Sequence, residues 1–174
     1  SAGGHLKRTH LELGGKAPVI VFDDADIAAA AEGIAVAGYF NAGQDCTAAT
    51  RVLASADVAD ELTAALAEQA TGAATTFGRA ADDEDAWVPP VNNAGQLERV
   101  LGFLNDVPAH ATVAAGGKRQ GDKGFYVEPT VIGGLRQDDR HIQQEIFGPV
   151  ITVQSFSDED EALRWANGVK YGLA

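Results

Sequence analysis

The sequence predicts an α/β fold, a three-layer sandwich built on a mostly parallel sheet. Three observations carry this prediction. Short apolar runs alternate with stretches of helical periodicity, the pattern of strands returning through crossover helices. The 174 residues fit one domain. Hydrophobic residues make up 45% of the chain and charged residues 22%, enough for a core under a solvated surface.

The elements follow in order. Residues 17–22 read as a buried strand, preceded by Gly14-Gly15 and ended by Asp23-Asp24. Asp24 or Asp26 then caps a helix over 27–40, where Ile27, Ala30, Ala31, Ile34 and Ala37 share one face. Asn41-Ala42-Gly43 stops it. A second strand is predicted over 51–54. A second helix follows over 58–70, with Leu62, Ala65, Leu66 and Gln69 in a stripe. Periodicity fails from 71 to 90, where the acidic run 82–85 and Pro89-Pro90 mark a surface loop. A third helix is predicted over 94–105, then a strand over 111–115 turned by Gly116-Gly117. Residues 125–132 read as strand or hairpin interrupted by Pro129, and 150–156 as a strand. Ser157 is expected to cap a last helix running to Asn167.

Charge narrows the function. Thirteen Lys and Arg against 25 Asp and Glu give a net charge of −12, which repels phosphate backbones and argues against nucleic-acid binding. No basic amphipathic segment suits an anionic membrane. The apolar runs are far shorter than the roughly 18 residues a membrane span needs. One cysteine without a disulfide framework suits a reducing, cytoplasmic setting. The absence of Met and the unsignalled stop at Ala174 read as a piece of a longer polypeptide.

The single cysteine, Cys46, follows the polar turn 41–45 rather than sitting in an apolar stripe. A free cysteine is usually a small buried hydrophobe. A Gly-containing turn, however, presents backbone N–H groups that favour a thiolate and stabilise an oxyanion. Glu12 stands between Leu11 and Leu13, so it fits the solvent face of a strand. Gly14-Gly15 beside it allow close approach by a ligand or another loop. Ile146, Phe147 and Val150 fit a core, with Gly148-Pro149 as a turn before the last strand.

Three runs together carry a resemblance. Leu11-Glu12-Leu13-Gly14-Gly15-Lys16 resembles the general-base motif of the NAD(P)-dependent aldehyde dehydrogenase superfamily. Asn41-Ala42-Gly43-Gln44-Asp45-Cys46 resembles its nucleophile motif, and Glu145-Ile146-Phe147-Gly148-Pro149-Val150 its nicotinamide-side motif. Their order and separations match, and the resemblance covers essentially the whole chain. It implies that residues 1–174 form a catalytic domain of aldehyde dehydrogenase type. Cys46 would attack the aldehyde of a small-molecule substrate, and its backbone N–H would supply half of an oxyanion hole. Glu12 would activate the water that releases the acid. Glu145 would hold the nicotinamide ribose, Phe147 would pack near the ring, and Leu13 would touch the cofactor through its backbone.

The implied cofactor is NAD, with NADP open, because the chain has no G-x-G-x-x-G run to read the adenosine half. An isolated domain is therefore expected to oxidise aldehydes poorly, and the parent enzyme to be a homo-oligomer. Asp45 beside Cys46 resembles enzymes acting on aminoaldehydes such as 4-aminobutyraldehyde. A carboxylate about 6 Å from an ammonium is worth on the order of 2–3 kcal/mol at an effective dielectric near 20. Asp45 also fits a simple cap of the next turn. The other readings are a cofactor-free cysteine hydrolase, which wants a histidine at Cys46, and an inert folded module. His5, His10, His110 and His141 show no metal-ligand spacing with Cys46, so no metal is expected and all four read as surface or structural.

Overall fold

The computed structural model describes residues 2–80 and 82–173. Its main sheet has five strands: β1 (Pro18–Val21), β2 (Arg51–Ser55), β5 (Thr112–Ala115), β6 (Thr130–Gly133) and β7 (Val150–Phe156). They lie in the order β1-β2-β7-β6-β5. All neighbours are parallel except β5, which runs antiparallel to β6 at one edge. The helices are α1 (Ile27–Tyr39), α2 (Ala59–Gly72), α3 (Ala94–Leu104), the single turn α4 (Arg140–Gln143) and α5 (Glu159–Ala166).

Side-chain alternation on the strands builds the layers. On β2, Val52 and Ala54 join the large core under α1, α2 and α3. Leu53 points the other way, toward Phe156 and Ala162 of α5. That second face is thinly covered and carries buried polar groups. Register pairs Arg51 with Thr152 and Leu53 with Gln154, and Arg51, Thr152 and Gln154 are all fully buried. Arg51 donates to the carbonyls of Trp165 at 3.0 Å and Ala166 at 2.9 Å. A cation at the C-terminus of α5 is favourably placed against the helix dipole.

Several expectations are refined. The loop over 71–90 contains a small parallel pair, β3 (Ala74–Thr75) and β4 (Ala86–Val88). These strands are too short to show a period. α2 buries Ala70 rather than Gln69. Asp158, not Ser157, caps α5: its carboxylate accepts from the Glu161 N–H at 2.8 Å. Ser157 instead donates its N–H and hydroxyl to the Glu161 carboxylate. Asp26 caps α1 and Asn93 caps α3 in the same way. Glu12 sits on no strand, since residues 7–17 have no regular structure.

The topology gathers the three chemistry-bearing runs. Each lies five or six positions ahead of its own strand, Glu12 before β1, Cys46 before β2 and Glu145 before β7. Those strands are parallel neighbours whose starts are aligned, Pro18 opposite Arg51 and Arg51 opposite Thr152. The runs therefore meet at the amino ends of three adjacent strands. Many open α/β sheets place ligands at the opposite, carboxyl ends.

Candidate active site

The Cys46 turn is held in a rare backbone shape. Asn41, Ala42 and Gly43 follow α1 with φ of 50°, 56° and 67°. A non-glycine residue in the left-handed region costs roughly 1–2 kcal/mol, so neighbouring contacts must maintain it. The Asn41 amide donates to the Gln44 carbonyl at 3.0 Å. Gln44 donates its side-chain N–H to the Asn41 carbonyl and accepts from the Asn92 N–H at 2.8 Å. Gly43 packs so closely on the Gly148 carbonyl that a Cβ there would overlap it. The Cys46 side chain is partly exposed. Its N–H donates to no acceptor among the described residues, which leaves that donor available for an oxyanion.

Gly14-Gly15 is where the three runs touch. A Cβ on Gly15 would overlap the Cys46 carbonyl, so only glycine lets these backbones cross. The Gly15 N–H donates to Glu145 Oε1 at 2.9 Å, and a Cβ on Gly14 would sit 2.5 Å from Glu145 Oε2. Glu145 is further steadied by its N–H, which donates to the Tyr171 hydroxyl at 3.2 Å.

The cleft thus formed has a volume of about 510 Å³, and all five expected residues line it: Glu12, Leu13, Cys46, Glu145 and Phe147. Glu12 is the exposed member. Its side chain is 83% accessible and meets His10 Nε2 at 2.8 Å. Phe147 is unusual for an aromatic in having φ of 59°. Gln96 donates to the carbonyls of Phe147 at 2.6 Å and Ile146 at 3.2 Å. Arg99 donates to the carbonyls of Ile146 and Glu145. One turn of α3 therefore grips the whole 145–147 segment.

Asp45 acts as the cap that its position allowed. Oδ1 accepts from the Thr47 N–H and hydroxyl, each at 2.8 Å, so it caps the following turn. Those two bonds, the backbone one first, hold its carboxyl below the ordinary carboxylate range. It also lines the cleft, where it stays anionic at neutral pH.

Sequence reasoning missed Gln96, Arg99 and His10. The first two stand three apart on the polar flank of α3, and only the fold turns that flank toward 145–147. His10, read as surface or structural, is exposed but touches Glu12. No histidine lines the cleft among the described residues. No group of three metal-ligating side chains occurs among them either.

The residues suit a nicotinamide cofactor. A carboxylate has about four lone-pair sites, and the one hydrogen bond that Glu145 accepts, from Gly15, leaves capacity for ribose hydroxyls. The glycine cradle at 14–15 admits a backbone or sugar close to it.

The sequence profile of the aldehyde dehydrogenase family matches residues 1–174. The mitochondrial aldehyde dehydrogenase of Leishmania tarentolae is 42% identical over all of this chain. The betaine aldehyde dehydrogenase of Brucella anthropi is 41% identical over 99% of it. The chain spans about a third of the length of these relatives, 34% and 36%. Among solved structures, a betaine aldehyde dehydrogenase of Staphylococcus aureus in complex with NAD+ superposes with a TM-score of 0.88 at 36% identity, covering 98% of this chain and 34% of its own. An aldehyde dehydrogenase of Bacillus cereus superposes at 0.90 with 34% identity, again over 98% of this chain and 34% of its own.

Proposed function

This chain belongs to the aldehyde dehydrogenase family, and on that premise we propose that residues 1–174 are its catalytic domain, oxidising a cationic aldehyde to the acid. The observation that carries the reading is the meeting of Cys46, Glu12 and Glu145 in one cleft. Cys46 sulfur adds to the aldehyde carbon to give a thiohemiacetal, its oxyanion facing the Cys46 N–H. NAD or NADP, when bound, would supply the hydride acceptor, and loss of hydride from this carbon would leave a thioester on Cys46. Glu12 takes a proton from water as the water attacks the thioester, releasing the carboxylic acid and the thiol. A positioned base typically contributes about 10²–10⁴-fold to such a step.

Glu145 would hold the nicotinamide ribose, with Phe147 beside the ring and the Leu13 backbone along its edge. Gln96 and Arg99 would keep Glu145 and Phe147 in place. Asp45 favours a substrate bearing an ammonium group, 4-aminobutyraldehyde being the first choice. Betaine aldehyde, which carries a quaternary ammonium, is the second, and two of the similar proteins bear its name. The single free cysteine fits a cytoplasmic enzyme, and the parent is read as a homo-oligomer.

The test has two parts. With p-nitrophenyl acetate, the chain should acquire one acetyl group on Cys46, seen by mass spectrometry, and Glu12→Gln should slow its release by about 10²–10⁴-fold. Acetylation elsewhere, or release unaffected by Glu12→Gln, would remove the mechanism. In a longer protein that includes this chain and turns over NAD, Asp45→Asn should erase the preference for 4-aminobutyraldehyde or betaine aldehyde over butanal. An unchanged preference would leave the oxidation standing and remove the substrate class.

A further inference from the structure

Lys16 is only 2% exposed, and its ammonium nitrogen has no hydrogen-bond partner among the described residues. With Pro18, Arg51, Asn167, Tyr171 and Leu173 it lines a small cavity of about 160 Å³. None of these residues lines the Cys46 cleft. A buried unpaired charge is costly unless an opposite charge or several hydrogen bonds meet it. Here the charges that act on it are a second cation, Arg51, and the Glu145 carboxylate, which opposes Arg51.

The cavity is rich in donors. Arg51 spends three N–H groups on the carbonyls of Lys16, Trp165 and Ala166. A guanidinium has five, so two remain. The Tyr171 hydroxyl accepts from the Glu145 N–H, which leaves its own proton free to donate. Lys16 adds three N–H donors. Glu145, the one acidic group acting on Lys16, already accepts from Gly15.

We propose that the cavity beside Lys16, Arg51 and Tyr171 is a binding site for a single carboxylate. A small planar anion offers two oxygens to the two cations and the hydroxyl, a match that a spherical halide cannot make. The small volume, about 160 Å³, suits a small acid group. The carboxylate comes either from a free small acid or from a side chain outside residues 1–174. The site does not depend on the reading of Cys46.

Binding is coupled to pH through Lys16. Burial, then Arg51, lowers its pKa to about 7, while Glu145 opposes them. The charged and titratable groups around it are Arg51 from β2, Glu145 from the turn before β7, Tyr171 beyond α5 and His141 of α4, which is buried and feels the Lys16 charge. Because the anion needs the protonated amine, it binds more tightly at pH 6 than at pH 8.5.

The probe is formate against chloride at matched ionic strength, read as the thermal midpoint of the 174-residue chain. Formate should raise the midpoint by several degrees at pH 6 and by less at pH 8.5, while chloride leaves it in place. Lys16→Met should abolish the response. An equal response to both anions, or a Lys16→Met chain that still responds, would overturn the site. If Lys16→Met does not fold, the ¹⁵N resonance of Lys16 Nζ in the unsubstituted chain decides: it should move on formate titration, and a stationary signal refutes the proposal. In a longer polypeptide containing this chain, a persisting formate response identifies a free acid as the occupant. A lost response, with carbodiimide coupling of Lys16 to a carboxylate, identifies a side chain.

Discussion

The turn that carries Cys46 and the segment that carries Glu12 are built in opposite ways. The turn is braced on every side, by Gln44 on Asn92, by Gly43 against Gly148 and by Gly15 under the Cys46 carbonyl. The Glu12 segment has no regular structure, and its carboxylate touches only an exposed histidine two residues away. The difference matches the two chemical tasks proposed for Cys46 and Glu12. A nucleophile must meet an oxyanion donor and a hydride acceptor in fixed geometry. In the proposed mechanism the base acts later, through water, and so tolerates movement.

The sharpest way to break this comparison is to remove the fixed partner. Cys46→Ala should lower acetylation by p-nitrophenyl acetate by more than about 10³-fold, measured as the initial burst. A surviving burst would show that the braced turn is not where the chemistry begins.

Next in size come the glycines, which contrast within the site. Gly43→Ala drives a methyl into the Gly148 backbone at a φ of 67°, and should cost about 3 kcal/mol or more in urea unfolding. Gly14→Ala meets only the end of the Glu145 side chain, which can swing aside. It should cost about 1 kcal/mol or less. Equal costs would erase the distinction between a braced and a yielding wall.

Lys16→Met sharpens the comparison through pH. The native pKa of Lys16 falls from the ordinary 10.5 to about 7, chiefly by burial. Between those values the unfolded chain binds more protons than the folded one. Stability of the unsubstituted chain therefore rises with pH there, by at most about 1.4 kcal/mol per pH unit from this group. Lys16→Met lacks that slope, so its advantage is greatest below pH 7 and shrinks toward pH 10. Paired urea titrations at pH 6, 8 and 9.5 read the difference, and a constant difference would rule out a shifted Lys16.

The smallest effect is expected at His10. Both partners of its contact with Glu12 are more than four-fifths exposed, and such pairs contribute little. His10→Ala should change the rate of acetyl release by less than about threefold. A larger loss would show that the Glu12 segment is braced after all, and that His10 is its brace.

Much of the site was legible because its geometry demands particular residues. Gly15 and Gly43 stand where no side chain fits, so the close crossing of backbones is written into the chain. Helix caps were half legible. Asp26 acts as expected, but Ser157 gave way to Asp158, because adjacent polar residues compete for one cap and the approach of the chain decides between them. The β3–β4 pair was hidden, since two or three residues cannot display alternation. Gln96 and Arg99 were hidden for a different reason. Their polar flank reads as solvated until the fold sets it against the carbonyls of 145–147.

By itself, then, the sequence determined the alternating strands and helices, the glycines that permit contact and the identities of sulfur and carboxylate, because each is a local property of residue type and spacing. Only the tertiary structure decided that three runs separated by up to 130 residues stand side by side, that a turn of α3 grips one of them, and that Lys16 and Arg51 share a small cavity. These facts follow from the parallel order of β1, β2 and β7, and strand order is set by packing between distant segments rather than by any one of them.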